Sequence, residues 1–381
     1  MYQLTFDINE FLANTWQKKP VLLRGAFKDF VDPISAEELA GLACEEDIAS
    51  RVVNTTADGW DVIHGPFEDY SEYGEQNWQL LVQAVNHWYP DSQPLVEAFR
   101  FIPDWRFDDL MASFATPKGG VGPHIDNYDV FIIQGEGERR WRVGDLGNYQ
   151  QRDNNPNSPL IEDFEPIIDE VLQAGDILYI PPGYPHCGET LTTAMSYSIG
   201  FRAPSQQEVV NELADYFIDN NLGSQRFTSN DEPSSPGVVS TSHQQGIMKL
   251  LAELANNPQA YQTMMGKLLS QNRFELDICP DESITEQELI DALTQGATIS
   301  RIGGLKVLKL EDDSAQRIFV NGEVFELNEL NAETLTLLTN QVSFTSEQAL
   351  ALIDAEPQLQ TLFTQLLSQG FYILQSSESR R

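Results

Sequence analysis

The stretch GVGPHIDNYDVF at residues 120–131 decides the fold of this chain, together with GDILYIPPGYPH at residues 175–186. In a β-strand, residues two apart point to the same side, so His124 and Asp126 can grip one ion. His186, at the end of the second stretch, must come from a distant strand that lies alongside. Two imidazoles and one carboxylate form a facial triad, which holds one face of a ferrous iron and leaves the opposite positions open. We therefore predict that His124, Asp126 and His186 are metal ligands.

Short apolar segments separated by glycine and proline surround these residues. Strands are predicted at 130–135 and 139–143, residues 175–186 form a turn, a buried strand and a second turn before His186, and the run from Pro117 to Pro123 is a turn-prone approach to His124. Short strands separated by turns with glycine and proline are typical of a barrel or a double-sheet jelly roll. A lone His-x-Asp pair is common in surface loops that bind nothing. The following apolar strand and the Pro-Pro-Gly turn before His186 favour a metal site instead.

With these segments the sequence resembles the bacterial JmjC (cupin-like) ribosomal oxygenases over nearly its whole length. The blocks that carry the resemblance are 11–25, 81–88, 104–106, 120–131, 179–183 and 198–204. The resemblance implies an α+β fold, a double-stranded β-helix (jelly-roll, cupin, JmjC) barrel over residues 1–204. A helical dimerisation domain is expected at 205–280 and a winged-helix-like domain at 281–381.

The pattern of apolar and polar residues after residue 204 agrees with that division. Apolar residues at helical spacing predict helices near 209–217, 247–254 and 261–269, with a polar loop from Gly223 to Ser242. Ser283 and Glu286 form a capping-box signal for a further helix. Strands are predicted at 297–302, 305–310, 318–320 and 371–374, and helices at 333–338, 347–353 and 359–367.

The formal net charge of −35 argues against direct binding of nucleic acid, which needs clustered Lys and Arg. It favours encounter with a basic partner, although simple solubility explains it about equally well. No apolar run reaches the roughly 18 residues of a membrane span, and the N-terminus does not read as a secretory signal. Three scattered cysteines fit reduced thiols. We expect a cytoplasmic protein that does not bind membranes.

The resemblance implies Fe(II) as the metal, with 2-oxoglutarate and O2 as cosubstrates. The far carboxylate of 2-oxoglutarate needs a cation deep in the barrel, and Arg139 is the best candidate. Arg140 and Arg142 are alternative candidates, because Gly137 leaves open which residues of the strand point into the barrel. Family resemblance also points to Ser113 as a hydroxyl donor, and Ile132 would supply an apolar wall. An ordinary core role explains Ile132 nearly as well.

The substrate implied by the resemblance is a basic ribosomal protein, large-subunit protein sixteen, hydroxylated at C3 of an arginine. Tyr128 and Asp129 are candidates for the substrate mouth, where Asp129 could pair with a guanidinium. The other histidines (His64, His87 and His243) are predicted to be structural or solvated. A homodimer is expected through the helical domain, the alternative being a helical cap on the barrel.

Three other functions stay open at this point. The same chemistry could act on a histidine or another residue of a different protein. A non-catalytic cupin sensor could bind the metal, although such a protein has no need to keep the triad and Arg139 together. A sugar-isomerase-type barrel usually needs a fourth ligand, and no residue is suitably placed for one.

Overall fold

The computed structural model describes residues 2–56, 59–152, 160–229, 235–281, 283–327 and 329–376. Its helices are α1 Ile8–Asn14, α2 Ala36–Leu42, α3 Val85–Trp88, α4 Gln93–Glu97, α5 Gln206–Asp219, α6 Thr241–Ala255, α7 Pro258–Ser270, α8 Glu286–Thr294, α9 Ala332–Asn340, α10 Ser346–Ala355 and α11 Gln358–Ser368. The barrel strands are β1 Val21–Leu23, β2 Ser50–Thr56, β3 Gly59–His64, β4 Trp78–Val82, β5 Phe107–Ala115, β6 His124–Ile125, β7 Asp129–Gln134, β8 Arg139–Gly144, β9 Pro166–Leu172, β10 Ile177–Ile180, β11 Pro185–Thr190 and β12 Ala194–Phe201. The C-terminal strands are β13 Thr298–Arg301, β14 Val307–Leu308, β15 Arg317–Val320, β16 Glu323–Glu326, β17 Ser343–Phe344 and β18 Tyr372–Gln375.

Two antiparallel sheets form the predicted double-stranded β-helix. The larger has the order β1-β10-β7-β12-β5-β4-β2-β3, and the smaller has the order β6-β11-β8-β9. Alternate residues of β7 (Val130 and Ile132) face the smaller sheet, where they pack with Trp141 and Val143 of β8. This alternation follows from the two-residue period of a strand. The predicted α+β jelly-roll fold is confirmed.

The other face of the larger sheet carries the main hydrophobic core. Phe131 and Ile133 of β7 and Tyr179 of β10 point to this side, where α1, α2 and α4 cover them through Phe11, Leu39 and Leu95. The central strands β7 and β10 are therefore buried on both faces, and their sequences are mostly apolar for that reason.

Helices α5 to α7 follow the barrel. A capping box of Ser205 and Glu208 begins α5, and Ser240 caps α6, so the predicted polar loop ends two residues early and His243 lies in the helix. Helix α7 packs against α5 and also against β14, β15 and β16. Among the described residues, no helix has the length and apolar character needed to cross a bilayer.

The C-terminal region has two small sheets, β17-β13-β18 and β14-β15-β16, around one core with α8 to α11. The predicted helices and strands appear here within a few residues of their expected ends. The capping-box prediction is wrong, however. Thr285 and Glu288 cap α8, while the Ser283 hydroxyl donates to Asp281 at 2.6 Å. The domain boundaries stay a prediction, since α7 contacts structure on both sides of residue 281.

Candidate metal and cosubstrate site

The three predicted ligands converge between β6 and β11. His124 and His186 are direct partners in the register of these two strands, and their ring centroids lie 4.2 Å apart. The Asp126 Oδ2 atom lies 3.8 Å from His124 Nε2 and 3.6 Å from His186 Nε2. One ligand atom from each residue lies within 4.8 Å of the others. The chain thus brings two imidazoles and a carboxylate around one point.

Backbone carbonyls fix both imidazoles in an orientation suited to a metal. The Nδ1 atom of His124 lies 2.9 Å from the Gly122 oxygen, and that of His186 lies 3.1 Å from the Tyr184 oxygen. An Nδ1–H that donates to a carbonyl leaves Nε2 as a free lone pair, which is the form a metal binds. Burial, with the nearby His124, lowers the pKa of His186 to about 4. The donor set therefore fits a ferrous ion.

The phase of β8 decides which arginine faces the barrel interior. Arg139 is only 2% exposed and lines the same cavity as the triad. Its Nη1 donates to Ser196 Oγ at 2.9 Å and its Nη2 donates to Gln79 Oε1 at 3.1 Å. Arg140 points outward and pairs with Asp169 at 2.6 Å, as Arg142 does with Asp163 at 3.0 Å. Arg139 is the inward residue of the three.

The charge of Arg139 has no carboxylate partner among the residues that the structure describes. Its Nε atom is buried without a hydrogen bond, and burial lowers its pKa to about 10. A buried cation without an anion is costly, because its desolvation is not compensated. The cavity therefore requires an anionic ligand at its deep end.

The cavity has a volume of about 990 Å³, and its lining includes three more of the predicted residues: Ser113, Tyr128 and Ile132. Ser113 Oγ lies 2.8 Å from Ser196 Oγ, the same oxygen that Arg139 contacts. Burial, and then the Asp126 charge, raise the pKa of the Tyr128 phenol. These positions agree with the predicted contacts, and their roles stay predictions.

The position of Asp129 differs from the prediction. It is 1% exposed, and its carboxylate accepts from Tyr179 at 2.6 Å and from Gln17 Nε2 at 2.9 Å. It lies on the Phe131 side of β7, facing the main core instead of the cavity. The alternation that turns Val130 and Ile132 toward the cavity turns Asp129 away from it. The expectation that Asp129 lies at the substrate mouth is wrong.

The sequence reasoning missed a carboxylate that does line the cavity. Asp109 of β5 is buried, and the cavity wall beside it includes Arg51 of β2 and Arg273. Burial, and then the adjacent Asp108, raise the pKa of Asp109 to about 7. The available signal was two consecutive acids in an otherwise apolar strand, 107–115. Gln79 and Ser196, which hold Arg139, gave no signal of their own.

The other histidines differ in position. His64 ends β3 and is exposed at the rim of the cavity, and His87 is 2% exposed in α3. Neither belongs to the group around Asp126. The prediction that they are not triad ligands agrees with this placement.

Comparison with known proteins finds two family models that match separate parts of the chain. Residues 94–209 match the JmjC domain model, and residues 252–373 match the ROXA-like winged-helix model. The ribosomal protein uL16 3-hydroxylase of Escherichia coli strain K12 is 44% identical over 377 residues, which is 98% of this chain and 99% of that protein. A probable ribosomal oxygenase of Haemophilus influenzae is 32% identical over 87% of this chain and 85% of its own length.

Solved structures agree with this relationship. The Escherichia coli ribosomal oxygenase YcfD in complex with cobalt and 2-oxoglutarate superposes with a TM-score of 0.90 at 43% identity, over 99% of this chain and 100% of that chain. A second structure, of YcfD with cobalt and succinic acid, has the same TM-score and coverage. The sequence identity, the fold and the converging triad lead to one conclusion. This chain belongs to the JmjC ribosomal oxygenase family.

Proposed function

We propose that this protein is an Fe(II)- and 2-oxoglutarate-dependent dioxygenase that hydroxylates ribosomal protein uL16. The observation that carries the proposal is Arg139, a buried cation in the cavity of the triad for which the described residues provide no carboxylate partner. A dicarboxylate with one end at Arg139 and the other near the triad would supply both the missing anion at Arg139 and ligand atoms for the metal. The related YcfD structure with cobalt and 2-oxoglutarate supports this choice of ligand.

Each residue then has a distinct task. His124 Nε2, His186 Nε2 and the Asp126 carboxylate would hold the iron, and Arg139 would hold the far carboxylate of 2-oxoglutarate by a charge-assisted hydrogen bond. Ser113 would add a hydroxyl donor, and Ile132 an apolar wall. When bound, Fe(II) and 2-oxoglutarate supply the oxidising power for hydroxylation of an unactivated carbon by O2. The protein positions that carbon and excludes water.

Asp109 favours arginine as the residue that is hydroxylated, at C3 of its side chain. A buried carboxylate in the cavity wall offers a guanidinium a two-pronged acceptor. Tyr128, which lines the same wall, would flank the side chain. A histidine substrate would use this carboxylate less well, because an imidazole cannot donate to it through two parallel N–H groups.

Turnover with recombinant uL16 tests the proposal. We expect succinate formation that needs both iron and 2-oxoglutarate, and a mass increase of one oxygen on a single arginine of uL16. The His186→Ala variant should produce neither. A mark on histidine would contradict the choice of arginine. Metal binding without succinate would indicate a sensor and would contradict the enzymatic proposal.

We further propose a homodimer formed through α5 and α6. Large apolar side chains on these helices are half or more exposed, including Val210 at 62%, Ile218 at 71%, Met248 at 61% and Leu251 at 53%. Such a patch is typical of an interface. Ile218→Glu with Leu251→Glu should give a monomer in sedimentation velocity, whereas Val31→Glu, at an equally exposed barrel site, should leave the dimer intact. A double variant that still sediments as a dimer would contradict the proposal.

We also propose a cytoplasmic location for the enzyme, because its proposed substrate is a ribosomal protein.

A further inference from the structure

The segment of residues 271–276, which follows α7, reaches the wall of the active-site cavity. Arg273 and Phe274 both line that cavity, although they belong to the region matched by the winged-helix model. Arg273 Nη2 donates to Asp108 Oδ2 at 2.6 Å and lies 4.0 Å from Asp109 Oδ1. Its guanidinium carbon also lies 4.5 Å from the centroid of the Phe274 ring. A side chain from outside the barrel therefore contacts the two consecutive carboxylates, Asp108 and Asp109, at the wall of the cavity.

Two contacts anchor this segment to its surroundings. His87 of α3 directs Nδ1 to the Glu275 carbonyl at 2.7 Å, and Lys306 Nζ donates to the Gln271 carbonyl at 3.2 Å. Both of these side chains are buried, His87 at 2% exposure and Lys306 at 7%. The backbone on both sides of Arg273 is therefore fixed by buried groups, one from the barrel and one from the C-terminal region.

Asp109, which lines the cavity, and the preceding Asp108 are two consecutive carboxylates that repel each other. Arg273 is paired with Asp108, and Asp109 receives the Ala84 N–H at 3.2 Å. Gln83, in the amide orientation that satisfies its neighbours, donates to Asp109 Oδ2 at 2.6 Å and accepts from Arg51 Nη1 at 2.9 Å. Tyr128 lines the same cavity and interacts electrostatically with Asp109. Loss of the Arg273 charge would leave Asp108 with only the weaker attraction of Lys306, and the less neutralised Asp108 charge would favour protonation of Asp109.

We propose that Arg273 is a positioning residue for the substrate, which neutralises Asp108 and so keeps the Asp109 carboxylate ionised and aimed at the substrate's guanidinium. The inference rests on the proposed arginine substrate. It gives the C-terminal region a direct part in substrate recognition, because the segment that carries Arg273 is held by Lys306. It also predicts that the cosubstrate end of the cavity does not depend on Arg273.

Binding of a uL16 peptide that spans the modified arginine tests the inference. The full-length protein, loaded with Co²⁺ and 2-oxoglutarate, is titrated calorimetrically from pH 6 to pH 9. For the wild type, the peptide should bind more tightly as the pH rises through about 7, where Asp109 loses its proton. Arg273→Gln should weaken binding at pH 7 by at least about 10-fold and move the transition to higher pH. Arg273→Lys should restore part of the affinity, and 2-oxoglutarate binding should stay unchanged.

The double variant Asp108→Asn with Arg273→Gln separates this role from a purely structural one. Removal of the Asp108 charge makes the Arg273 charge unnecessary, so the double variant should bind the peptide within about 3-fold of the wild type. A matched control is Arg202→Gln, which removes a similarly exposed arginine that pairs with Glu208 and does not line the cavity. The inference is overturned if Arg273→Gln binds like the wild type, or if the double variant binds no better than Arg273→Gln. A wild type that does not bind the peptide would contradict the proposed substrate itself.

Discussion

At the scale of single residues, function depends on whether a side chain points into or out of the barrel. The two-residue period of a strand correctly places His124 and Asp126 together from the sequence alone. It could not fix the phase of β8, because Gly137 precedes that strand in a turn with a φ of +79°. The same period turned Asp129 to the core, where Tyr179 and Gln17 occupy its carboxylate.

Replacement of Arg139 by glutamine should mainly weaken 2-oxoglutarate binding. The glutamine keeps a polar side chain at this position but removes the charge that a dicarboxylate needs. We expect the KM for 2-oxoglutarate to rise at least about 30-fold, which corresponds to about 2 kcal/mol. Succinate formation at varied 2-oxoglutarate concentration measures this.

Arg140→Gln is the matched control for that variant. It lies next to Arg139 on β8 but points outward to Asp169, so the KM should change by less than about 2-fold. Equal effects of the two substitutions would show that β8 does not have the orientation described above.

His87 should make the folded protein less stable in acid. Burial lowers its pKa from 6.5 to about 4, so the unfolded chain binds a proton between these values while the folded protein does not. The contribution to stability is fully present above pH 6.5 and is lost as the pH falls toward 4, and it amounts to about 3 kcal/mol. Urea unfolding between pH 4.5 and pH 7 should show a shallower dependence in His87→Gln. The exposed His64→Gln should keep the wild-type dependence.

At the scale of elements, most helices and strands were predictable, but their long-range pairing was not, apart from that of the strands carrying His124 and His186. Local signals gave α8 to α11 with small errors, such as a capping box that begins two residues later than expected. The residues that hold Arg139 and face the substrate end come from β4, β5 and β12, which are neighbours only in the folded sheet. No local spacing in the sequence brings Gln79, Asp109 and Ser196 together.

Packing between α3 and the loop before β14 should be sensitive to one methyl group. Gly304 has a φ of +76°, and a Cβ there would lie 2.1 Å from the His87 ring. Gly304→Ala should therefore lower the free energy of unfolding by about 3 kcal/mol, from backbone strain and overpacking together. Gly25→Ala is the control, because Gly25 has a φ of +55° but open space around its Cβ, and it should cost only about 1 kcal/mol. Similar losses in the two variants would contradict tight packing at His87.

At the scale of the whole molecule, the net charge of −35 suits a basic protein substrate. The barrel was predictable because the motif blocks lie between residues 11 and 204, and the winged helix because the pattern of helices and strands after residue 281 resembles that of the family. The contribution of the C-terminal region to the cavity was not, since Arg273 reaches Asp108 across 165 positions of sequence.

Salt should affect the two substrates differently. Screening weakens attraction between the acidic enzyme and uL16, while 2-oxoglutarate binds in a buried cavity where screening is slight. We expect kcat/KM for uL16 to fall about 10-fold between about 0.03 and 0.3 M salt, with less than about a 2-fold change in the KM for 2-oxoglutarate. Steady-state kinetics at several salt concentrations would check this, and parallel changes for both substrates would count against electrostatic attraction of uL16.

The most direct test of the account is a crystal structure of this protein grown with Mn²⁺ and 2-oxoglutarate without oxygen. The account predicts one metal ion bound by His124 Nε2, His186 Nε2 and the Asp126 carboxylate, with the far carboxylate of 2-oxoglutarate on Arg139. A metal bound elsewhere, or 2-oxoglutarate that leaves Arg139 without an anionic partner, would contradict it.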